Sequence, residues 1–354
     1  MLAMKRKIRV LVIDDSALVR KTITDTLQMD PDIEVVGVAN DPLIAIDKIP
    51  KLQPDVLTLD MEMPRMDGLT FLRKLKSENS PIPVVVISSL TQQGSKLALD
   101  AMEAGAKEVL AKPDGSSSIG ALAGKLAYHV KAAAKARRDL TALPAPPQRQ
   151  AFRPTSSSTP SPSDRRLVLI GSSTGGVEAL RYILPALPVD LPAIAVVQHI
   201  PAYFSKAVAE RINSLSGLEV KEAVDNDPLV PGVCLIAPGD YHMMVVKQGT
   251  YRVRLLQTPP VHHCRPAVDV LFRSAAAAAG PHALGVLLTG MGSDGARGLQ
   301  AIKQAGGRCL AQDEASSVIY GMPRAAVALG VVDRSVSLQS MPQAIVDNLN
   351  QLRS

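Results

Sequence analysis

Residues 8–27 read IRVLVIDDSALVRKTITDTL. An apolar, β-branched run from Ile8 to Ile13 is cut by the acidic pair Asp14-Asp15. Val19, Ile23 and Leu27 then recur at the spacing of one helix face. A strand, a polar loop and an amphipathic helix follow one another, which is the opening of a βα unit. The pattern continues outward: Glu34–Ala39 with Pro42–Ile49, Val56–Leu59 with Leu69–Leu75, Val84–Ile87 with Lys96–Ala104, and Val109–Ala111 with Ile119–Ala136. Strands alternating with helices in this way predict a (βα)5 domain over residues 7–125, a parallel sheet covered by helices on both faces. In such sheets ligands bind at the carboxyl ends of the strands.

The chain has 354 residues, more than one hydrophobic core usually organises, so a second domain is expected. The texture changes at residues 137–166, where LTALPAPPQRQAFRPTSSSTPSPSD is dense in Pro, Ser and Thr and has no apolar period. It reads as a linker, because such a stretch buries too little apolar surface to offset its ordering entropy. Beyond it, residues 167–352 resume the α/β rhythm with strands at Leu167–Ile170, Ala193–Val197, Val233–Ile236 and Leu284–Leu288. A hairpin is expected at Met243–Lys247 and Tyr251–Leu256 around Gln248-Gly249-Thr250. The expected class is therefore α/β throughout, with the second domain doubly wound.

Composition excludes several kinds of protein. No apolar run approaches the ~18 residues of a membrane span. The basic start Met1–Lys7 is followed by too short an apolar run, Val10–Ile13, for a secretory signal, so a cytoplasmic protein is expected. Cys234, Cys264 and Cys309 show no CxxC spacing, which argues against a disulfide framework or a zinc site. The net charge is +6, but Lys and Arg are dispersed and aromatics make up only 3%, so no nucleic-acid partner is expected.

In the first domain Asp14 and Asp15 end the first strand, Asp60 the third and Ser88 the fourth, and Lys112-Pro113 follow the fifth. Carboxylates converging on one rim suit a hard divalent cation such as Mg²⁺. A lysine and a hydroxyl facing the same point suit phosphoryl oxygens. Singly, such residues would be turn formers or helix caps. Together, VIDDSALVR, LTLDMEMPRMDG, VISS and AKP resemble the receiver domain of two-component response regulators. The resemblance implies that Asp60 accepts phosphate from a histidine kinase, and that Asp14, Asp15 and Asp60 hold Mg²⁺ with the backbone carbonyl of Glu62. It also implies that Ser88 and Lys112 contact the phosphoryl group. Receivers often carry Tyr or Phe three residues before the lysine; Val109 stands there, which puts the usual relay in question.

In the second domain GSSTGG, residues 171–176, lies between an apolar strand and the run Val177–Leu184. Ser173 fits G-x-S-x-G, a tight turn that holds a nucleophile at a helix N-terminus. Gly-rich turns of this kind also bind phosphate or simply pack closely, and Ser172 is a rival nucleophile. Gln198-His199-Ile200-Pro201 closes the next strand, and LTGMGSDG, residues 288–295, closes a later one. Ser173, His199 and Asp294 can then act as nucleophile, base and orienting acid. An α/β-hydrolase order would instead recruit Asp240 or Asp269 with His282. His262-His263 with Cys264 is a weak metal motif, since adjacent residues diverge on a strand or helix, and His242 is expected to be a loop or strand residue near the cleft.

GSSTGG, QHIP, APGDYH, RPAVDVLFRSA, LLTGMGSDGA and AQDEASSVIYGMPRAA, behind the receiver, resemble the CheB family of chemotaxis methylesterases. The resemblance covers both domains and implies a protein-glutamate methylesterase and protein-glutamine glutaminase acting on methyl-accepting chemotaxis receptors. It implies CheA as phosphodonor kinase, contact with membranes only through the receptors, no cofactor for hydrolysis, and the Met291 backbone N–H in an oxyanion hole. Ser172 and Ser293 stand where the family commonly has Ala and Asn. A phosphorylation-dependent binding module and a receiver-driven transcription factor are the rival readings; the second half shows no helix-turn-helix.

Overall fold

The computed structural model describes residues 6–88, 92–112, 119–136, 165–202 and 204–352. The chain forms two compact units, residues 1–139 and 140–354. Of the expected linker, residues 137–164 lie outside the described residues.

In the first unit the strands are β1 (Ile8–Ile13), β2 (Ile33–Ala39), β3 (Val56–Asp60), β4 (Val84–Ser88) and β5 (Glu108–Ala111). The helices are α1 (Ala17–Gln28), α2 (Pro42–Leu52), α3 (Gly68–Ser77), α4 (Gln92–Glu103) and α5 (Ile119–Lys135). All strand pairs are parallel, in the order β2-β1-β3-β4-β5. Helices start where side chains satisfy orphan amides: Asp41 accepts from Leu43 and Ile44 N–H with Pro42 in the first turn, and Asp67 accepts from Thr70 N–H. Val10, Val12, Ile23, Leu27, Val85 and Leu126 belong to one core between sheet and helices. The order reverses between β1 and β3, which opens a crevice at their carboxyl ends.

The second unit holds a seven-stranded sheet built of β6 (Leu167–Ser172), β7 (Ile194–Gln198), β8 (Glu219–Glu222), β9 (Val233–Ile236), β12 (Ala283–Leu287), β13 (Arg308–Gln312) and β14 (Arg334–Val336). Its order is β14-β13-β12-β6-β7-β9-β8, parallel throughout. The expected hairpin is present as β10 (His242–Gln248) and β11 (Thr250–Leu256), paired antiparallel. The helices are α6 (Gly176–Ile183), α7 (Phe204–Leu215), α8 (Val268–Ala279), α9 (Ala296–Gln304), α10 (Met322–Ala328) and α11 (Met341–Leu349). Strands β8, β13 and β14 are absent from the sequence-based expectation. EVKE, RCLAQ and RSV are short and carry polar residues, and β8 and β14 form the two sheet edges, where continuous apolar character is not required. Here the order reverses between β6 and β12, so a second crevice opens where Ser173, His199 and Asp294 follow their strands.

Among the described residues, no helix is long and apolar enough to cross a membrane.

Candidate active site and phosphoacceptor pocket

In the receiver unit, Asp14 and Asp60 are buried at the ends of β1 and β3, and Asp15 beside them is exposed. One carboxylate oxygen from each lies within 4.8 Å of the others. Lys112 Nζ sits 2.7 Å from Asp60 Oδ2 and 3.3 Å from Asp14 Oδ2. Burial pushes the Asp14 and Asp60 carboxyls above their ordinary values, with Lys112 offsetting only part of the effect. Burial also disfavours the Lys112 ammonium, but the two carboxylates outweigh it and raise its pKa. Three hard oxygen donors facing one ammonium leave the pocket net negative, and this donor set fits a divalent cation such as Mg²⁺. Ser88 is buried at the end of β4, where its carbonyl accepts Lys112 N–H at 2.8 Å. Val109 is buried in β5.

The serine turn of the second unit is fixed from several directions. Gly175 has φ +78°, and a Cβ there would lie 2.5 Å from Val318, so the turn needs glycine for both conformation and space. Ser173 N–H donates to the Thr289 carbonyl at 3.0 Å, Thr289 Oγ1 donates to the Thr174 carbonyl at 3.0 Å, and Gln312 Oε1 accepts Thr289 N–H at 2.9 Å. Gly290 lets the two loops touch: a Cβ on it would fall 2.7 Å from Ser173 Cβ. Met291 is the next residue. Both serines are buried, and they differ in their side-chain partners. Ser172 is 0% exposed and its Oγ donates to Gln198 Oε1 at 2.6 Å, which makes it a packing residue. Ser173 stands one step further, where β6 ends.

Gln198, quoted in the motif but given no role from sequence, ties this turn to the histidine. Its Nε2 donates to the Ser173 carbonyl at 2.9 Å and to the His199 carbonyl at 3.0 Å. His199 Nε2 meets Asp294 Oδ2 at 2.8 Å, the expected pairing. The other ring nitrogen, Nδ1, faces Cys264 Sγ at 3.5 Å. Among the described residues, no hydrogen bond joins Ser173 Oγ to either nitrogen of His199, so of the three residues expected to act together only His199 and Asp294 are directly bonded. Burial opposes an imidazolium at His199, but Cys264 and Asp294 outweigh it and push the pKa up to about 10. Asp294 is buried, which favours its neutral form, yet His199 and the Val268 and Asp269 amides hold its carboxyl below the ordinary value.

The rival constellation does not assemble. His282 immediately precedes β12, whereas Ser173 follows β6, and the two strands run parallel, with Ala283 beside Leu167. His282 is therefore at the amino-terminal edge of the sheet, roughly 23 Å away at ~3.3 Å per residue. Asp240 instead holds Arg265 Nη2 at 2.6 Å, and Asp269 pairs with His262 Nε2 at 3.1 Å. His242 opens β10 and is fully buried, its Nδ1 accepting Ala267 N–H at 3.2 Å. The His262-His263-Cys264 stretch is neither strand nor helix but a turn, so its side chains do not simply diverge: His262 reaches Asp269 and Cys264 reaches His199.

A carboxylate pocket on one parallel sheet and a serine turn facing a histidine–aspartate pair on another define a response-regulator hydrolase. Residues 168–345 match the CheB methylesterase family model and residues 10–122 the response regulator receiver domain model. The chain is 51% identical, over 96% of its length and 98% of the relative's, to protein-glutamate methylesterase/protein-glutamine glutaminase 2 of Syntrophus aciditrophicus (strain SB). It is 49% identical, over 99% of its length and all of the relative's, to a protein of the same name, without the numeral, from Syntrophotalea carbinolica. The crystal structure of the Thermotoga maritima CheB methylesterase catalytic domain superposes with a TM-score of 0.51 at 38% identity, covering 51% of this chain and 97% of that one. The chain belongs to the CheB methylesterase family and carries a response regulator receiver domain.

Proposed function

We propose that residues 167–352 hydrolyse glutamate γ-methyl esters on methyl-accepting chemotaxis receptors, releasing methanol, and deamidate selected glutamines there. Ser173 is the nucleophile. Because His199 Nε2 is committed to Asp294, Nδ1 is the nitrogen that takes the serine proton as Oγ attacks the γ-carbonyl. The Met291 N–H stabilises the oxyanion, and collapse expels methanol or ammonia with the proton returned from His199. Water then repeats the sequence on the acyl-enzyme and restores Ser173. One serine serves both reactions because both are acyl transfers to the same γ-carbon.

Residues 7–125 regulate this activity, with residues 137–166 as the connecting linker. Asp60 accepts phosphate from a histidine kinase of the CheA type, and Ser88 and Lys112 contact the phosphoryl oxygens. Asp14, Asp15, Asp60 and the Glu62 carbonyl would hold Mg²⁺, whose charge would offset that of the incoming phosphoryl group. The protein works in the cytoplasm and meets the membrane only through its receptors.

The 2.8 Å His199–Asp294 pair beside the Ser173 turn carries the hydrolytic reading. Methanol release from receptor-bearing membranes with labelled methyl esters, with and without a small phosphodonor, tests it. Wild type should release methanol faster with the phosphodonor, Ser173→Ala should release none, and Asp60→Asn should not respond. Full release by Ser173→Ala would move the nucleophile elsewhere.

A further inference from the structure

The turn Val261-His262-His263-Cys264 is used by no step above, yet it is built at a cost. Val261 and Cys264 exchange N–H to carbonyl hydrogen bonds of 3.0 and 2.9 Å, closing a two-residue hairpin turn. His262 and His263 take φ values of +51° and +62°, the left-handed pair that glycine or asparagine normally supplies in such turns. Two histidines there are strained, and strain of this kind persists only where surrounding contacts hold it. His262 is held by Asp269, itself fixed by Gly298 N–H on Oδ1 at 2.7 Å, and the turn thereby delivers Cys264 Sγ to His199 Nδ1.

That contact matters because of the shape of an imidazole. A ring attached at Cβ and bonded only through Nε2 can still pivot about the line joining those points. Nδ1 lies off this line, so a second contact there fixes the ring plane. We propose that Cys264 is a positioning residue for the hydrolysis, its Sγ holding the base nitrogen of His199 toward the cleft and yielding it to Ser173 Oγ when substrate seats. This rests on the reading of Ser173 and His199 as nucleophile and base. Sulfur is a weak hydrogen-bonding partner at 3.5 Å, so exchanging it for the serine hydroxyl costs little. Cys264 and Asp294 face the ring directly, while His262 and Asp269 cluster with Asp294 within 4.8 Å and His242 senses Asp294 from β10. Cys264 is also one of the groups that raise the His199 pKa, so its loss should free the base at lower pH.

The test uses the full chain and methanol release from methyl-labelled receptor membranes, followed from mildly acidic to alkaline pH. Cys264→Ala should lower kcat roughly tenfold with KM unchanged and move the acid limb of the rate profile to lower pH. Cys264→Ser should move the limb likewise but recover most of kcat, because its hydroxyl donates to the same nitrogen. His262→Asn, a residue at ease in the left-handed region, separates loss of turn geometry from loss of the thiol and should keep the wild-type limb. A wild-type rate and limb in Cys264→Ala, with Ser173→Ala inactive, would overturn the positioning role alone. Activity surviving in Ser173→Ala but abolished in Cys264→Ala would make the thiol the nucleophile and overturn both readings.

Discussion

Asp294 joins His199 to a helix through one carboxylate. Its Oδ2 lies 2.8 Å from His199 Nε2 and also accepts Val268 N–H at 2.7 Å, while Oδ1 accepts Asp269 N–H at 2.9 Å. Val268 and Asp269 are the first two residues of α8, whose N-cap Ala267 offers no side-chain acceptor. The residue proposed to orient the base is therefore also the cap of a helix from another segment, and the positive end of that helix favours its ionised form.

Asp294→Asn should accordingly lose both catalysis and stability. Activity should fall by about 10³-fold or more, since the amide no longer stabilises an imidazolium. Because the folded carboxyl is held below its unfolded value, its stabilisation is present above the unfolded pKa of 3.8 and fades as pH falls through the folded one. Thermal melts should therefore separate variant from wild type at neutral pH and converge in acid.

Gln198 and Ser172 should split the roles of the buried amide network. Gln198→Leu removes three hydrogen bonds that join the serine turn to His199 and should cost about 3 kcal/mol of stability and roughly 10²-fold in kcat. Ser172→Ala leaves one buried oxygen unpaired, costs about 1–3 kcal/mol, and should keep most of the activity. Denaturant melts and methanol release on the same samples check both.

The buried carboxylates of the receiver should show the opposite pH sign from Asp294. Asp14 and Asp60 have raised folded pKa values, so their ionisation opposes folding at neutral pH, and the stability present below their unfolded values is lost as pH rises through the folded ones. Asp60→Asn should raise the receiver's melting temperature without divalent cation, and added Mg²⁺ should stabilise wild type more than the variant. Calorimetry with and without chelator reads both.

On the proposed reading of the Pro/Ser-rich stretch as a flexible linker, about 28 residues would have an r.m.s. reach of ~30 Å, and the receiver is expected to inhibit by folding back over the catalytic cleft. Residues 164–354 alone should then demethylate receptors faster than the unphosphorylated full chain, and a phosphodonor should raise the full chain toward or beyond the fragment. Equal rates of fragment and unphosphorylated chain would show that the receiver does not inhibit.

The sequence by itself determined the five-stranded sheet, four strands of the seven-stranded one, and the carboxylate rim. Apolar β-branched runs and four-residue helix spacing are local properties, and a residue that follows a parallel strand must lie at that strand's carboxyl edge, so Asp14, Asp60, Ser173, His199 and Asp294 were placed by connectivity alone. Polar strands β8, β13 and β14 were not legible, because their place in the sheet comes from neighbouring strands rather than from their own pattern. Only the tertiary structure decided which groups meet across the crevice. Ser172 and Ser173 are equivalent in a one-dimensional motif, but the pleat turns one into Gln198 and leaves the other at the strand end. Cys264 is 65 residues from His199 in the chain, and its arrival at Nδ1 depends on a strained turn anchored through Asp269, a contact between distant segments that no local periodicity encodes.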